Sequence, residues 1–468
     1  MIAIFTKNLI RGITRGSHSP DQSRLARGLS LFPSLKSIVI VIGVMIGGGA
    51  LFSETLAASK PLGLQECYEL AVMKSESLGM KESEIKIQEA LYWQAISTAF
   101  PQIHARVTPT WEDQSYTPNM NRSNSSSVSS SRKIPTMDSF EGKVTVAQPL
   151  FRGFREFSAA GAAKENQAAK GFEWKRAREV LYEEVAGAFY QWIQYEEDLK
   201  LILDLQQTLM NRVAEMQRRV NLGKSRPSEL ISVQSDLAES RVNEQQTRAL
   251  FQATQELLAF LTGVPSKEIQ IKKNDQKWNV RLLEDYLKEI DYRPDYLATL
   301  AAERGARKKV AVVQAEHLPS IDLSADYSLI QEPRSKGDWK VLLTMDLPIF
   351  EGGIVEARIK EQKALLRQNQ LQIERLKREA DQEIRTRFSN FNFSSLERIR
   401  LQEWVELSEK NYSLLKQDYE KGVVSQLEVM DALKRWTEAK RRYSSLALEN
   451  QLDWIKLHVA AGISPSKR

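Results

Sequence analysis

The strongest constraint in this sequence is a duplication. Val146–Phe154 reads VAQPLFRGF and Met345–Gly353 reads MDLPIFEGG, so Pro149, Phe151 and Gly153 recur as Pro348, Phe350 and Gly352 after a step of 199 residues. The step persists downstream, where Gly223 recurs as Gly422, Glu229 as Glu428, and Gly263 as Gly462. Upstream it lengthens to 218, pairing Pro101 with Pro319, and the extra 19 residues fall around the Ser-rich stretch Asn121–Lys133. Such a stretch reads as the solvated tip of a longer loop. A period near 200 is too long for an ordinary solenoid. The chain therefore folds as two copies of one plan, residues 59–265 and 282–464, joined by residues 266–281 and followed by a short tail at 465–468.

Each copy reads as helix, strand, loop, strand, very long helix, turn and long helix. The strands show a period of two. Ile321, Leu323, Ala325, Tyr327 and Leu329 share one face, against Ser320, Asp322, Ser324, Asp326 and Ser328. Trp339, Val341, Leu343, Met345 and Leu347 oppose Lys340, Thr344 and Asp346. The first copy repeats this with Ile103, Ala105, Val107 and Trp111 against Gln102, His104, Arg106 and Thr108, then Phe140, Val144 and Val146 against Glu141, Lys143 and Thr145. The expected strands are 102–111, 139–148, 320–330 and 338–347. Ten-residue segments of this kind suit a transmembrane barrel, although a half-buried soluble sheet alternates in the same way.

The helices have a different chemistry. No proline interrupts the chain between Gly153 and Pro227, and helical hairpins are expected over 154–262 and 353–461. A helix over 154–220 would be about 100 Å long at 1.5 Å per residue. Leu401, Val405, Ser408, Tyr412, Leu415 and Tyr419 step by four and three, and Val213, Met216 and Val220 hold the matching register of the first copy. With charged residues elsewhere, this is a coiled-coil seam in water rather than a lipid-facing helix. At the hairpin turns Gly223 and Gly422 are expected to end one helix left-handed, and Ser225 and Ser425 to cap the next. Ser425 and Glu428 have the spacing of a capping box.

The N-terminus is built differently again. Of 66 basic and 60 acidic residues, seven and two lie in residues 1–60, which leaves 59 against 58 in the rest of the chain. The net charge of +6 is thus mostly in the leader, and nucleic acid is not an expected partner. That leader ends in the uncharged run Ser37–Ser53 and the small residues Thr55–Ser59, as a secretory signal peptide over residues 1–58 does, with an uncleaved anchor as the alternative. The single Cys67 excludes an internal disulfide and reads as a buried bystander.

No enzyme is expected. His18, His104, His317 and His458 are scattered, no HExxH, P-loop or dinucleotide motif is present, and Glu196 and Glu197 fall on a charged coil face. No catalytic residue, metal site or cofactor is expected.

Four strands in lipid leave unpaired edge amides unless copies of the chain close the sheet. At this point the residues resemble the TolC-like outer-membrane efflux proteins, over about residues 62–464. The resemblance rests on the duplicated PLFRG and PIFEG junctions, the NLG and EKG tips, and the LTG and AAG ends. It implies a mixed α and β membrane protein: a homotrimer whose 12-stranded transmembrane barrel, four strands per chain, continues as a long α-helical coiled-coil tunnel in the periplasm of a Gram-negative bacterium. It also implies a passive exit duct of a tripartite efflux or type I secretion system, with a periplasmic adaptor protein, an inner-membrane pump and outer-membrane lipid as partners. Residues 266–281 would belt the tube at its equator. The competing reading is an inner-membrane-anchored periplasmic adaptor or coiled-coil scaffold without a pore, which would not need two duplicated strand pairs.

Carried to positions of this chain, the resemblance places Glu428 and Asp431 at the periplasmic entrance, six and nine residues after Gly422, with Tyr419 and its acidic partner Glu229 beside them. Where the family has a basic locking residue, this chain has Val424. The adaptor would meet the tips, Leu222, Gly223, Lys224 and Ser225 on one hairpin and Gly422, Val423, Val424 and Ser425 on the other. Pro149, Gly153, Pro348 and Gly352 mark the strand-to-helix junctions.

Overall fold

The computed structural model describes residues 61–111, 137–273, 280–331 and 338–463. The expected signal peptide, the Asn121–Lys133 loop, the centre of the 266–281 connection and the 465–468 tail lie outside the described residues. In chain order the elements are α1 (Leu64–Lys74), α2 (Glu76–Ser97), β1 (Gln102–Trp111), β2 (Met137–Arg152), α3 (Arg155–Asn221), α4 (Pro227–Thr262), α5 (Leu283–Lys288), α6 (Pro294–Gln314), β3 (Ser320–Gln331), β4 (Trp339–Asp346), α7 (Ile354–Glu420) and α8 (Gln426–Ala460).

The two repeats have nearly identical dimensions. Helices α3 and α7 each run for 67 residues, and α4 and α8 for 36 and 35. Each long helix begins after a tight left-handed turn. Gly153 and Phe154 have φ of 65° and 60°, and Gly352 and Gly353 have φ of 67° and 82°. Phe154 holds a conformation that glycine occupies at the matching position of the second repeat, and it is the one non-glycine with positive φ among the described residues.

The four strands form one antiparallel sheet in the order β1-β2-β3-β4, so the two repeats meet at the β2–β3 pair. Strand β2 runs on through Pro149 to Arg152, past the expected end at 148. The register shifts between Pro149 and Phe151, and this irregularity is where a residue without an N–H can be carried in a sheet. Strands β1 and β4 are the edges, and β4 is exposed along its whole length. The apolar face of the sheet is uncovered: Ile103 is 71% exposed, Leu343 63% and Met345 63%. On the polar face Lys143 pairs with Asp326 at 2.9 Å and Arg152 with Asp322 at 2.7 Å.

The buried apolar residues gather along the helices. One cluster joins α1 and α3 to α7 and α8 around Val185, Phe189, Phe391 and Ile455, and contains Cys67 at 0% exposure. Burial pushes the Cys67 thiol up to about 12, as the bystander reading requires. A second cluster fills the far end of the hairpins, where Met216, Val213 and Val220 of α3 meet Tyr412, Leu415 and Tyr419 of α7. The four-three stepping residues therefore do face inward. Among the described residues no helix is long and apolar enough to cross a membrane, and no group of His, Cys, Asp and Glu could hold a metal ion.

The first residues of the described chain are tied to the connection between repeats. Leu62 donates to Gln270 O at 2.6 Å and accepts from Lys272 N at 2.9 Å, forming a parallel bridge beside the buried Ile269. Each repeat also ends in a glycine under a basic side chain. A Cβ on Gly263 would come within 2.9 Å of Lys74, and one on Gly462 within 2.9 Å of Arg293. Arg293, itself only 3% exposed, donates to Ala460 O, Asp295 and Glu383. It thereby supplies a cation and donors to the carboxyl end of α8.

Candidate functional site

The two hairpin turns are built alike. Gly223 has φ of 70°, and Gly223 N and Lys224 N donate to Val220 O and Arg219 O at 2.9 and 2.8 Å. Gly422 has φ of 78°, and Gly422 N and Val423 N donate to Tyr419 O and Asp418 O at 3.0 and 2.9 Å. Both are Schellman endings, which glycine permits because it carries no Cβ into the left-handed region.

The helices that follow are capped differently. Ser425 is the N-cap of α8, and it donates its backbone N–H at 2.7 Å and its hydroxyl at 3.1 Å to Glu428 Oε2. Ser225 does not cap α4. Pro227 takes the first helical position and makes Arg226 the N-cap, because proline's fixed φ and missing N–H suit that position. Leu222, Gly223, Lys224, Gly422, Val423 and Ser425 are exposed at the turns, Ser225 is half-buried, and Val424 turns inward against the tip cluster.

The residues expected at the entrance do not form one cluster within a single chain. Glu428 is exposed and engaged in the α8 cap. Asp431 is exposed and paired with Arg435 at 2.9 Å, one helical turn along. Glu229 is half-buried in the first turn of α4. Tyr419 is buried at 6% exposure and donates its hydroxyl to Met216 Sδ at 3.4 Å, so Glu229 is not its hydrogen-bond partner. The guanidinium groups of Arg212 and Arg219 lie 4.7 and 4.5 Å from the Tyr419 ring centre.

Above the tips, α3, α4 and α8 enclose a cleft of about 530 Å³ crossed by ion pairs. Lys434 on α8 reaches Asp236 on α4 at 2.7 Å, and Arg441 on α8 chelates Asp198 on α3, with Nη2 at 2.6 Å from Oδ2. The hydrogen bond that Lys434 donates to Asp236 raises the pKa of Lys434, and that which Arg441 donates to Asp198 raises the pKa of Arg441. Periodicity alone does not reveal these links, because each joins residues about 200 or more positions apart on charged coil faces.

At the strand-to-helix junctions Gly153 packs under the turn Ala315–His317 that precedes β3. A Cβ on Gly153 would meet Ala315 O at 2.9 Å, whereas one on Gly352 would meet open space. Pro149 lies at the β2 irregularity, and Pro348 follows β4.

Two long helical hairpins on a four-stranded sheet, with the whole plan repeated once, are a fold shared with the solved structures of CusC and of the outer membrane protein VceC. Residues 288–463, most of the second repeat, match the model of the outer membrane efflux protein family. Outer membrane protein TolC of Escherichia coli strain K12 is 20% identical over 307 residues, which are 61% of this chain and 62% of TolC. The aligned part thus spans a little under two thirds of that curated relative. Among solved structures, CusC superposes with a TM-score of 0.76 at 17% identity, covering 88% of this chain and 95% of CusC. The outer membrane protein VceC of Vibrio cholerae gives 0.72 at 18% identity, covering 85% and 96%. The resemblance read from the sequence therefore holds, and the relatives it points to are named outer membrane proteins. The family matched over residues 288–463 is described as outer membrane efflux protein, and the CusC structure is described as a transmembrane channel.

Proposed function

We propose that three copies of this chain form a passive channel in the outer membrane, the exit duct of a tripartite efflux or type I secretion system. The observation that carries this reading is the sheet. Its two edge strands lack partners and its apolar face lies open, so within hydrocarbon its free N–H and C=O groups would each cost several kcal/mol, of the order of the transfer penalty for an unpaired amide. Pairing β4 of one copy with β1 of the next closes a 12-stranded barrel and removes that cost. The helical hairpins, polar on their outer faces, continue the barrel as a tunnel into the periplasm, and residues 1–58 direct export as a signal peptide.

The tips Leu222–Ser225 and Gly422–Ser425 meet a periplasmic adaptor, which connects the duct to an inner-membrane pump. Glu428, Asp431, Tyr419 and Glu229 from three chains surround the periplasmic entrance. Because Arg435 offsets Asp431, the net negative potential comes mainly from Glu428 and favours cations.

Purified mature protein in planar bilayers tests the proposal. Heat-modifiable trimers and discrete conductance steps are expected, with cation selectivity lowered in the double variant Glu428→Ala, Asp431→Ala. A monomer that is water-soluble without detergent and forms no pores would refute the channel. Unchanged selectivity in the double variant would refute the entrance assignment alone.

A further inference from the structure

We propose that the open edges of the sheet take a second copy of this chain in one fixed register, set by two acid–base pairs between subunits: Asp346 with Arg106, and Glu351 with His104. The inference rests on the trimer reading for the existence of a β4–β1 joint and adds the residues that specify it.

The chain carries its own template for that joint. Its two strand hairpins share one register: Gln102 faces Ala147 in the first and Ser320 faces Asp346 in the second, the same positions displaced by the repeat steps of 218 and 199. The hairpins are therefore equivalent units, and the β2–β3 pairing shows how two such units meet side by side. Displacing that pairing by the same steps sets β4 against the β1 of a neighbour. Ala147 opposite Ser324 becomes Asp346 opposite Arg106, and Phe151 opposite Ile321 becomes Phe350 opposite Ile103. Arg152, which donates to Asp322 at 2.7 Å, becomes Glu351, and Asp322 becomes His104.

Charge runs in opposite senses at the two joints. Within the chain β2 supplies the bases Lys143 and Arg152, and β3 the acids Asp326 and Asp322. At the open joint the β4 side supplies the acids and β1 the bases. Arg106 lies beside Lys143, and Asp346 beside Ser320, so both belong to the polar face. Asp346, Glu351, Arg106 and His104 are exposed, and none has an ion pair within its own chain among the described residues. Directly opposite residues of an antiparallel pair have Cβ atoms about 5 Å apart, within reach of a salt bridge, and opposite charges there favour one register over its slips. A histidine N–H can donate to a carboxylate in either protonation state.

The segment after β4 fits the same joint. Strand β2 continues to Arg152 because β3 holds that end, whereas β4 stops at Asp346, with no strand beside its outer edge. Ile349 and Phe350 are left 92% and 85% exposed, while Phe151, the counterpart of Phe350, is half-buried opposite Ile321. Residues 347–351 of one copy thus extend β4 along the start of the next copy's β1.

Cysteine pairs in the full chain, purified in detergent, test the register. Asp346→Cys with Arg106→Cys, and Phe350→Cys with Ile103→Cys, would set Cα atoms within the disulfide range of about 4.4–6.8 Å across the joint, so oxidation with copper phenanthroline should link most subunits into covalent trimers. Asp346→Cys with Gln102→Cys, four residues out of register, should give about a tenth of that yield or less. Within one chain β1 and β4 are opposite edges of the sheet, so the disulfide reports a second copy, and buried Cys67 takes no part. Charge exchange is the second measurement. Asp346→Arg or Arg106→Asp alone sets like charges opposite each other at every joint and should lower the temperature at which trimers dissociate; the double exchange should restore it.

Trimers that lack both in-register disulfides, or form the Gln102→Cys disulfide equally well, overturn the register. A double exchange no more heat-resistant than the single ones overturns the Asp346–Arg106 pair. Either result leaves the channel reading standing, whereas wild-type protein that stays monomeric overturns both.

Discussion

Gly153 and Gly352 are a natural pair for separating backbone conformation from packing. They occupy the same position in the two repeats, with φ of 65° and 67°. Replacing either by alanine puts a Cβ in the left-handed region, at about 1–2 kcal/mol. At Gly352 nothing lies within 4 Å of the new carbon, so this is the whole effect. At Gly153 the same carbon would lie 2.9 Å from Ala315 O and 3.0 Å from both Ala315 Cβ and Leu318 Cδ1. Two of these contacts belong to the turn entering β3 and can relax only by moving it, which adds about 1–3 kcal/mol of overpacking. With an unfolding entropy of about 2.1 cal/mol/K per residue over roughly 400 residues, 1 kcal/mol corresponds to about 1.2 °C in Tm. Gly352→Ala should therefore lower the thermal midpoint by about 1–2 °C, and Gly153→Ala by about 2–6 °C, measured calorimetrically in detergent. Trimerisation leaves these shifts unchanged, because it multiplies the perturbation and the entropy alike. A Gly352→Ala shift equal to or larger than that of Gly153→Ala would refute the packing argument.

The same reasoning predicts the opposite sign next door. Phe154→Gly should raise the midpoint in detergent by about 1 °C, since it relieves a left-handed phenylalanine at little packing cost; the ring is 64% exposed, and a fall would show that its contacts with Phe151 and Phe157 outweigh the strain. Burial raises the pKa of Glu183 despite Arg387 at 3.6 Å, so folding favours the protonated acid and the stability this contributes is lost as pH rises past the ordinary carboxylate range. Glu183→Gln should accordingly gain stability over wild type as pH is raised from about 4 to 8, the span above the unperturbed glutamate value, and chemical denaturation across that range would show a flat difference if the reasoning fails. Native Cys67 should resist a maleimide until the protein is denatured, because it is fully buried with its thiol held near about 12, and labelling of the native protein within minutes would contradict its placement.

The sequence carried the elements well where physical periodicity is strong. The alternation from Ser320 to Leu329 and the proline-free run after Gly153 are each decided by one rule, side chains of period two or an uninterrupted helical backbone. The seam through Leu401, Ser408 and Tyr419 was legible for the same reason, and all three are buried. Local competition was harder to read. Ser225 looked like a cap, but Pro227 two residues on fixes the helix start and displaces the cap to Arg226. The tip contacts were not legible at all. Arg212, Glu215 and Arg219 look like a solvated charged face, and only the fold reveals that a tyrosine some 200 residues later lies against them. Likewise Glu428 and Asp431 were legible as acids, but not the fact that Ser425 and Arg435 already occupy them.

The β2–β3 joint has a consequence for how such a chain could arise. It unites the two repeats by the same kind of antiparallel pairing that β4 would offer the β1 of a neighbour. If the proposed trimer forms, an ancestor only one repeat long would meet its own copies through a single type of joint, six times around a ring. Fusing two such units would preserve that geometry while releasing the halves from identity, as the different residues at the matching left-handed positions, Phe154 and Gly353, illustrate.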